Sequence, residues 1–193
     1  MIRALIVDDH PAVLSGLVSA FRAEPGLVPL GTATGVSAAL VAAERVGPNV
    51  ALIDYHLPDG DGLALCHKLK LLASPPAVVI YSAFARQELA LAATVAGADG
   101  MVDKGVPLDE LFAALWTVAR GGKALPALRP EAVERTVTRL EPQDLPILGM
   151  RIDGATLSDI GAVLHLEEHE LSRRLTALLG RLTGAATPTG GPR

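Results

Sequence analysis

Much that would announce a function is missing from this 193-residue chain. Cysteine occurs once, at Cys66, so no intrachain disulfide can form and a four-cysteine metal site is excluded. A reducing, cytoplasmic setting is the simplest expectation. Aromatic residues make up only 3% of the chain, too few for a surface that stacks single-stranded bases. No apolar run nears the roughly 18 residues needed to span a bilayer, so no membrane partner is expected. The N-terminus, MIRALIVDDH, holds two acids by position 9, which a secretory signal would not carry. Positive charge is also scarce: 17 Lys and Arg face 21 Asp and Glu, a net charge of -4. Charge alone therefore does not call for nucleic acid. What is present is 50% hydrophobic and 20% charged, a globular composition long enough for a domain and a half.

The first 120 residues alternate two patterns. IRALIV (2–7), LVPLGTA (27–33), VALID (50–54), AVVIY (77–81) and DGMVD (99–103) are short apolar runs closed by turn residues. Continuous apolar strands of this kind suit a sheet covered on both faces. Between them, residues 10–23, 61–72 and 107–119 carry apolar side chains at helical spacing. Leu14 and Leu17, Leu65 and Leu69, and Leu111 and Leu115 exemplify it. Five strands alternating with five helices predict an α/β, doubly wound (βα)5 parallel sheet. Its expected strand order is 2-1-3-4-5, with a crevice where strands 1 and 3 meet.

In such a sheet, chemistry collects beyond the carboxyl ends of the strands. Asp8 and Asp9 close the first strand, Asp54 the third, Ser82 follows the fourth and Lys104 the fifth. Taken alone, Asp54 in LIDYHLPDGDG is explained by turn chemistry, and a lone surface Ser or Lys signifies nothing. With four strand ends occupied together, the residues read as one site. Three carboxylates repel one another and call for a hard divalent cation with oxygen ligands, Mg²⁺ fitting best. The adjoining lysine and hydroxyl suit the oxygens of a phosphate.

These residues resemble the response-regulator receiver domain, the CheY-like fold of two-component signalling. The resemblance spans about the first 120 residues. It rests on Asp8-Asp9, the D-Y-H-L-P-D-G-D-G stretch from Asp54, Ser82-Ala83, and D-K-G at 103–105. It implies that Asp54 accepts a phosphoryl group from a histidine kinase. Asp8, Asp9, Asp54 and the backbone carbonyl of His56 would hold Mg²⁺. Ser82 would bond the phosphoryl group, Lys104 would pair with one of its oxygens, and catalysis would be confined to the protein's own phosphorylation and dephosphorylation. One position departs from the pattern: Met101 stands where receivers usually carry the Tyr or Phe that reorients on activation.

RGGKALP (120–126) reads as a flexible, basic break, giving a receiver over 1–120 and a linker with a helix over 121–139. Within PEAVERTVTRL (130–140), Val133, Val137 and Leu140 share one side of that helix. Three further helical patterns follow, the last two with helix-turn-helix proportions around His165-Leu166-Glu167. Leu171, Leu175, Leu178 and Leu182 form the apolar stripe of the last helix. Residues 140–183 thus resemble the NarL/LuxR (GerE-type) four-helix output domain. The shared frame is Leu140-x-Pro142, Gly154, Ile160, Leu164 and Leu166. That resemblance implies a recognition helix over 168–182 in a DNA major groove, and homodimers on two-fold related half-sites. Arg173, Arg174 and Arg181, with Arg151, are the candidate DNA contacts.

Several features oppose this. Residues 141–183 carry seven acids against four arginines, and Glu167, Glu168 and Glu170 crowd the start of the recognition helix. Pro146 and Gly149 are expected to weaken the first helix of the module. Two outputs therefore stay open: control of DNA binding and transcription, or a phosphorylation-dependent protein-interaction module that no longer binds DNA. A small-molecule phosphotransferase would need a second acid or base motif, and none is present. GAATPTGGPR (184–193) reads as a disordered tail.

Overall fold

The computed structural model describes residues 1–83, 86–138 and 140–184. They form two compact units, Met1–Ala85 with Gly97–Pro126, and Arg86–Ala96 with Ala127–Arg193. The expected disordered tail lies, apart from Gly184, outside the described residues.

The first unit is built on strands β1 (Ile2–Val7), β2 (Leu27–Ala33), β3 (Val50–Asp54), β6 (Ala77–Ser82) and β7 (Gly100–Asp103). All pair in parallel in the order β2-β1-β3-β6-β7, the doubly wound order expected from the sequence. Alternate side chains explain the layers. Ile2, Ala4 and Ile6 of β1 join Leu52, Val79, Tyr81 and Val102 in one core. That core is closed by Leu17 and Phe21 of α1 (Pro11–Ala23) and by Leu111, Leu115 and Val118 of α5 (Leu108–Ala119). Each fully buried side chain of that size contributes about 1.5–3 kcal/mol. Helices α2 (Val36–Val46) and α3 (Gly62–Lys70) pack together and against the sheet.

Between β3 and α3 the chain makes a small hairpin, β4 (His56–Leu57) with β5 (Gly60–Asp61), which the sequence did not announce. Its acids serve two helices. Asp61 caps α3 by accepting the Ala64 N–H at 2.7 Å. Asp59 accepts the N–H groups of Val36 (2.6 Å) and Ser37 (3.0 Å), capping α2, whose own N-cap residue is Gly35. A Cβ at position 62 would run into the Asp54 carbonyl oxygen, so only glycine fits there. The string after Asp54 is thus fixed at three points.

The segment expected to be a flexible break is fastened at the sheet edge. Gly121, at φ 82, closes α5 in the left-handed conformation, and the Gly122 N–H returns to the Thr117 carbonyl at 3.0 Å. Ala124 then bonds along β7: its carbonyl accepts the Met101 N–H (3.0 Å) and its N–H reaches the Asp99 carbonyl (2.8 Å). Lys123 adds an ion pair to Asp99 at 2.8 Å. Asp99 also pairs with Lys70 and accepts the Val78 N–H at 2.8 Å. These bonds hold its carboxyl below the ordinary value although burial alone would raise it.

The second unit contains α4 (Gln87–Ala96), α6 (Pro130–Val137), α7 (Leu145–Ile152), α8 (Leu157–Leu164) and α9 (Glu168–Thr183). Leu171, Leu175, Leu178 and Leu182 are all buried, so the stripe read from the sequence is the core face of α9. Helix α4 packs with α6, α7 and α9. In α6 the buried residues are Ala132 and Thr136, while Val133 and Val137 are half-buried, a face rotated by one residue from the expected one. Pro146 falls in the first turn of α7, where its missing N–H has no intrahelical partner to lose. The first helix of the module is therefore formed. Thr156 and Asp159 make a reciprocal capping box on α8. His165 ends α8 at φ 51 and turns the chain into α9.

Candidate functional site

The parallel register brings the first and third strand ends side by side, with Val7 opposite Ile53. Asp8 and Asp54 follow these positions and are buried, 1% and 5% exposed. Lys104, entering from just beyond β7, spans the two. Its Nζ lies 2.6 Å from Asp8 Oδ2 and 2.9 Å from Asp54 Oδ2. The Lys104 N–H is held by the Ser82 carbonyl at 2.9 Å. Burial depresses the lysine's proton affinity, but hydrogen bonds to Asp8 and Asp54 more than compensate and hold it above its ordinary value. Lys104 is therefore a permanent cation between two buried carboxylates.

Ligand atoms of Asp8, Asp9, His10 and Asp54 lie within 4.8 Å of one another. Donors around a Mg²⁺ ion sit about 2.1 Å from it, hence within about 4.2 Å of each other. The spread of the cluster is thus close to the separation of opposite donors around such an ion. Its donor set fits one. Three carboxylates facing one lysine also leave an excess of negative charge that a dication would offset.

Ser82 is the last residue of β6, one position beyond the Asp54 partner Tyr81, and is buried. His56 opens the hairpin two residues after Asp54, opposite Asp61. Met101 is buried in β7, opposite Ile80. Sequence reasoning had not singled out Tyr81 or His10. The Tyr81 ring lies 5.6 Å below Lys104 Nζ, a cation–π support for that side chain. Burial pushes the Tyr81 hydroxyl's proton affinity up, so the ring stays neutral beneath the lysine. An aromatic beside Ser82 at a strand end was the only available signal. His10 follows the acidic pair directly and places Nδ1 2.7 Å from Asp9 Oδ1.

The arginines read as DNA contacts lie in the second unit, three of them paired with carboxylates. Arg181 bonds Asp144 twice, Nε and Nη2 both at 2.8 Å, and Glu141 at 3.3 Å. Arg173 and Arg174 both pair with Glu170, each at 2.7 Å, and those bonds hold the Glu170 carboxyl below its ordinary value. Arg151 spends its guanidinium on backbone, donating to the Val95 carbonyl (2.9 Å) and the Ala155 carbonyl (2.7 Å). All four guanidiniums are engaged by protein groups, although the Arg173 side chain remains 75% exposed. No helix among the described residues is long and apolar enough to cross a membrane.

Comparison with known proteins agrees with this architecture. The response regulator receiver domain family matches residues 4–116. The DNA-binding transcriptional activator DevR/DosR of Mycobacterium tuberculosis is 31% identical, over 94% of this chain and 88% of its own. The nitrate/nitrite response regulator protein NarL of Escherichia coli K12 is 26% identical, over 92% and 88% respectively. The two-component response regulator RcsB, solved in complex with DNA, superposes with a TM-score of 0.64 at 20% identity, covering 96% of this chain and 99% of that one, which shows the shared fold. The receiver match, the alignment with DevR/DosR across both units and the four occupied strand ends lead to one conclusion: the chain belongs to the response-regulator family, in its NarL/LuxR branch.

Proposed function

We propose that Asp54 is the phosphoacceptor of a phosphorelay, and that its phosphorylation controls DNA binding by the helical output unit. The observation that carries this is Lys104 spanning Asp54 and Asp8, the latter 96 residues away in sequence, with Asp9 alongside. In the reaction an Asp54 oxygen attacks the phosphorus of a kinase phosphohistidine. The P–N bond breaks as the new P–O bond forms, and the imidazole leaves. Asp8, Asp9, Asp54 and the His56 carbonyl would hold Mg²⁺, which would neutralise charge on the transferring group. Lys104 exchanges its Asp54 contact for a phosphoryl oxygen, and the Ser82 hydroxyl donates to another. The protein's catalysis is limited to this step and to hydrolysis of the acyl phosphate, in which water takes the phosphoryl group as inorganic phosphate and restores the Asp54 carboxylate.

Output follows from chain order. Ser82 ends β6, and α4 begins at Gln87 and packs with α6, α7 and α9. A pull on Ser82 therefore acts on a helix that belongs to the output unit. Met101 contributes adaptable packing rather than a turning ring. In the transcriptional reading, α9 enters the major groove of promoter DNA and two copies bind related half-sites. The DNA-binding activator DevR/DosR, similar across both units, supports this. A second reading, a protein partner in place of DNA, is favoured by Glu170 pairing with both Arg173 and Arg174. Two experiments test these readings. Labelling by a small phosphodonor with Mg²⁺ should vanish in Asp54→Ala; persistence would remove Asp54 from the reaction. Salt-dependent binding to promoter fragments should appear on phosphorylation and weaken in Arg174→Ala; no binding to any fragment would select the protein partner.

A further inference from the structure

Helix α4 falls between β6 and β7 in sequence, yet it packs with α6, α7 and α9 of the second unit. From Leu89 to Ala96 every residue but Thr94 is buried, so the helix is apolar on all sides rather than along one stripe. Thr94 satisfies its own hydroxyl by donating to the Ala90 carbonyl at 2.9 Å. Side chains fasten both ends. The Gln87 carboxamide brackets the entry to α6: its Oε1 accepts the N–H of Arg129, the N-cap, at 2.9 Å, and its Nε2 donates to the Ala127 carbonyl at 3.2 Å. At the other end, the Val95 carbonyl is among the last four, which a helix leaves without an intrahelical donor. Arg151 of α7 supplies one from Nε at 2.9 Å. Its Nη1 meanwhile donates to the carbonyl of Ala155, just before the N-cap of α8, at 2.7 Å.

We propose that α4 is a constituent helix of the output unit, required for its fold, so that output is governed by shifting a core helix and not by releasing a self-sufficient domain. The regulatory consequence rests on the reading of Asp54 as phosphoacceptor; the shared core does not. Helix α9 buries Leu171, Leu175, Leu178, Leu179 and Leu182. Among the described residues, α6, α7 and α8 offer it only Ala132, Ile147, Leu148 and Ile160 as fully buried apolar partners. Residues 127–183 by themselves are shorter than the roughly 60 residues at which a single core is already marginal. Helix α4 makes up the deficit, and α9 packs on it more extensively than on α8. Cutting the receiver away would therefore remove α4 from this core and abolish output rather than set it free. Arg151 carries the position of α4 further, since one guanidinium holds both the end of α4 and the entry to α8.

Amide hydrogen exchange of the full chain in low urea tests this. In the wild type, α4 amides should lose protection with the same urea dependence as those of α7 and α9, and apart from those of β6, β7 and α5. Leu175→Ala should speed exchange in α4, α7 and α9 together by about thirtyfold or more, leaving the sheet amides within about threefold. Should that variant lose the output fold altogether, protection of α4 must go with it. Arg151→Lys, a milder change that keeps the charge but not the fork, should speed α4 and α9 together by about three- to tenfold. α4 amides that follow the sheet in urea, or stay protected in either variant while α9 exchanges, would overturn the proposal. With acetyl phosphate and Mg²⁺, exchange should change in α4 and α9 together, and not in Asp54→Ala. A change in α9 with α4 unmoved would overturn the regulatory consequence. No change in any amide would overturn the phosphoacceptor reading and that consequence with it, while urea dependence shared by α4 and α9 would still establish the common core.

Discussion

Replacing Arg181 by Met separates a structural arginine from a DNA-contacting one. Asp144 is almost wholly buried, its side chain 2% exposed, while the Arg181 side chain is 25% exposed. Among the bonds Asp144 makes, the two from the guanidinium are the charge-neutralising pair; the Glu141 N–H adds a longer one at 3.1 Å. Breaking a buried pair by removing one partner costs about 3–5 kcal/mol, chiefly because the survivor stays charged and buried. The partial exposure of Arg181 lets solvent relieve some of this, so the lower end, about 3 kcal/mol, is expected. That corresponds to roughly a hundredfold faster amide exchange in the second unit, read at α7 and α9, with the β-sheet amides unmoved. The double variant Asp144→Leu, Arg181→Met should recover most of the loss, since an apolar pair of similar size often replaces a buried ion pair at little cost. Exchange within threefold of wild type in Arg181→Met, combined with weaker binding to promoter DNA, would refute the structural assignment.

Three other substitutions probe the scaffold. Asp99→Asn should lower stability by about 1–2 kcal/mol at neutral pH by weakening bonds to two lysines and the Val78 N–H. Because the folded Asp99 carboxyl lies below its ordinary value of 3.8, that stability is present above this value and lost as pH falls through the folded one. Melting temperatures of the variant and wild type should therefore converge in acid; a constant gap down to pH 2 would contradict the assignment. His165→Gly should stabilise the helical unit by about 0.5–1 kcal/mol in urea unfolding, since a non-glycine residue sits at φ 51. Asp59→Ala should speed amide exchange at Val36 and Ser37, whose N–H groups it caps, while leaving Ala64 unchanged.

The sheet and its order were legible because a parallel sheet covered on both faces forces continuous apolar runs, and four of the five runs end at a candidate site residue. Asp8, Asp9, Asp54 and Lys104 could be grouped from position alone, since topology brings strand ends together whatever the side chains do. What escaped was every contact set by side-chain direction. Asp59 gave no signal in sequence because its partners, Val36 and Ser37, are more than 20 residues away. Gly121 and Gly122 read as a flexible break, yet the left-handed turn they permit lays Ala124 along β7. Arg173, Arg174 and Arg181 fell on the polar side of their helix as periodicity requires. Periodicity cannot tell solvent from a waiting carboxylate such as Glu170 or Asp144.

The position of Lys104 also bears on how the proposed phosphorylation is felt. Before transfer, one ammonium serves two buried carboxylates. Transfer converts the Asp54 carboxylate to an acyl phosphate, and local charge becomes more negative by up to one unit. A single lysine cannot keep Asp8 Oδ2 at 2.6 Å and fully engage a phosphoryl oxygen standing farther out. Its movement toward the phosphoryl group would exchange its Asp54 contact for the phosphoryl oxygen and loosen its hold on Asp8. The lysine is tied through its own N–H to the Ser82 carbonyl, so its displacement and the recruitment of the Ser82 hydroxyl strain the same short stretch of β6. Next in sequence after β6 comes α4, a helix packed with α6, α7 and α9. On the proposed phosphorylation, charge gained at Asp54 would thereby become a mechanical load at Ser82, the last residue of β6.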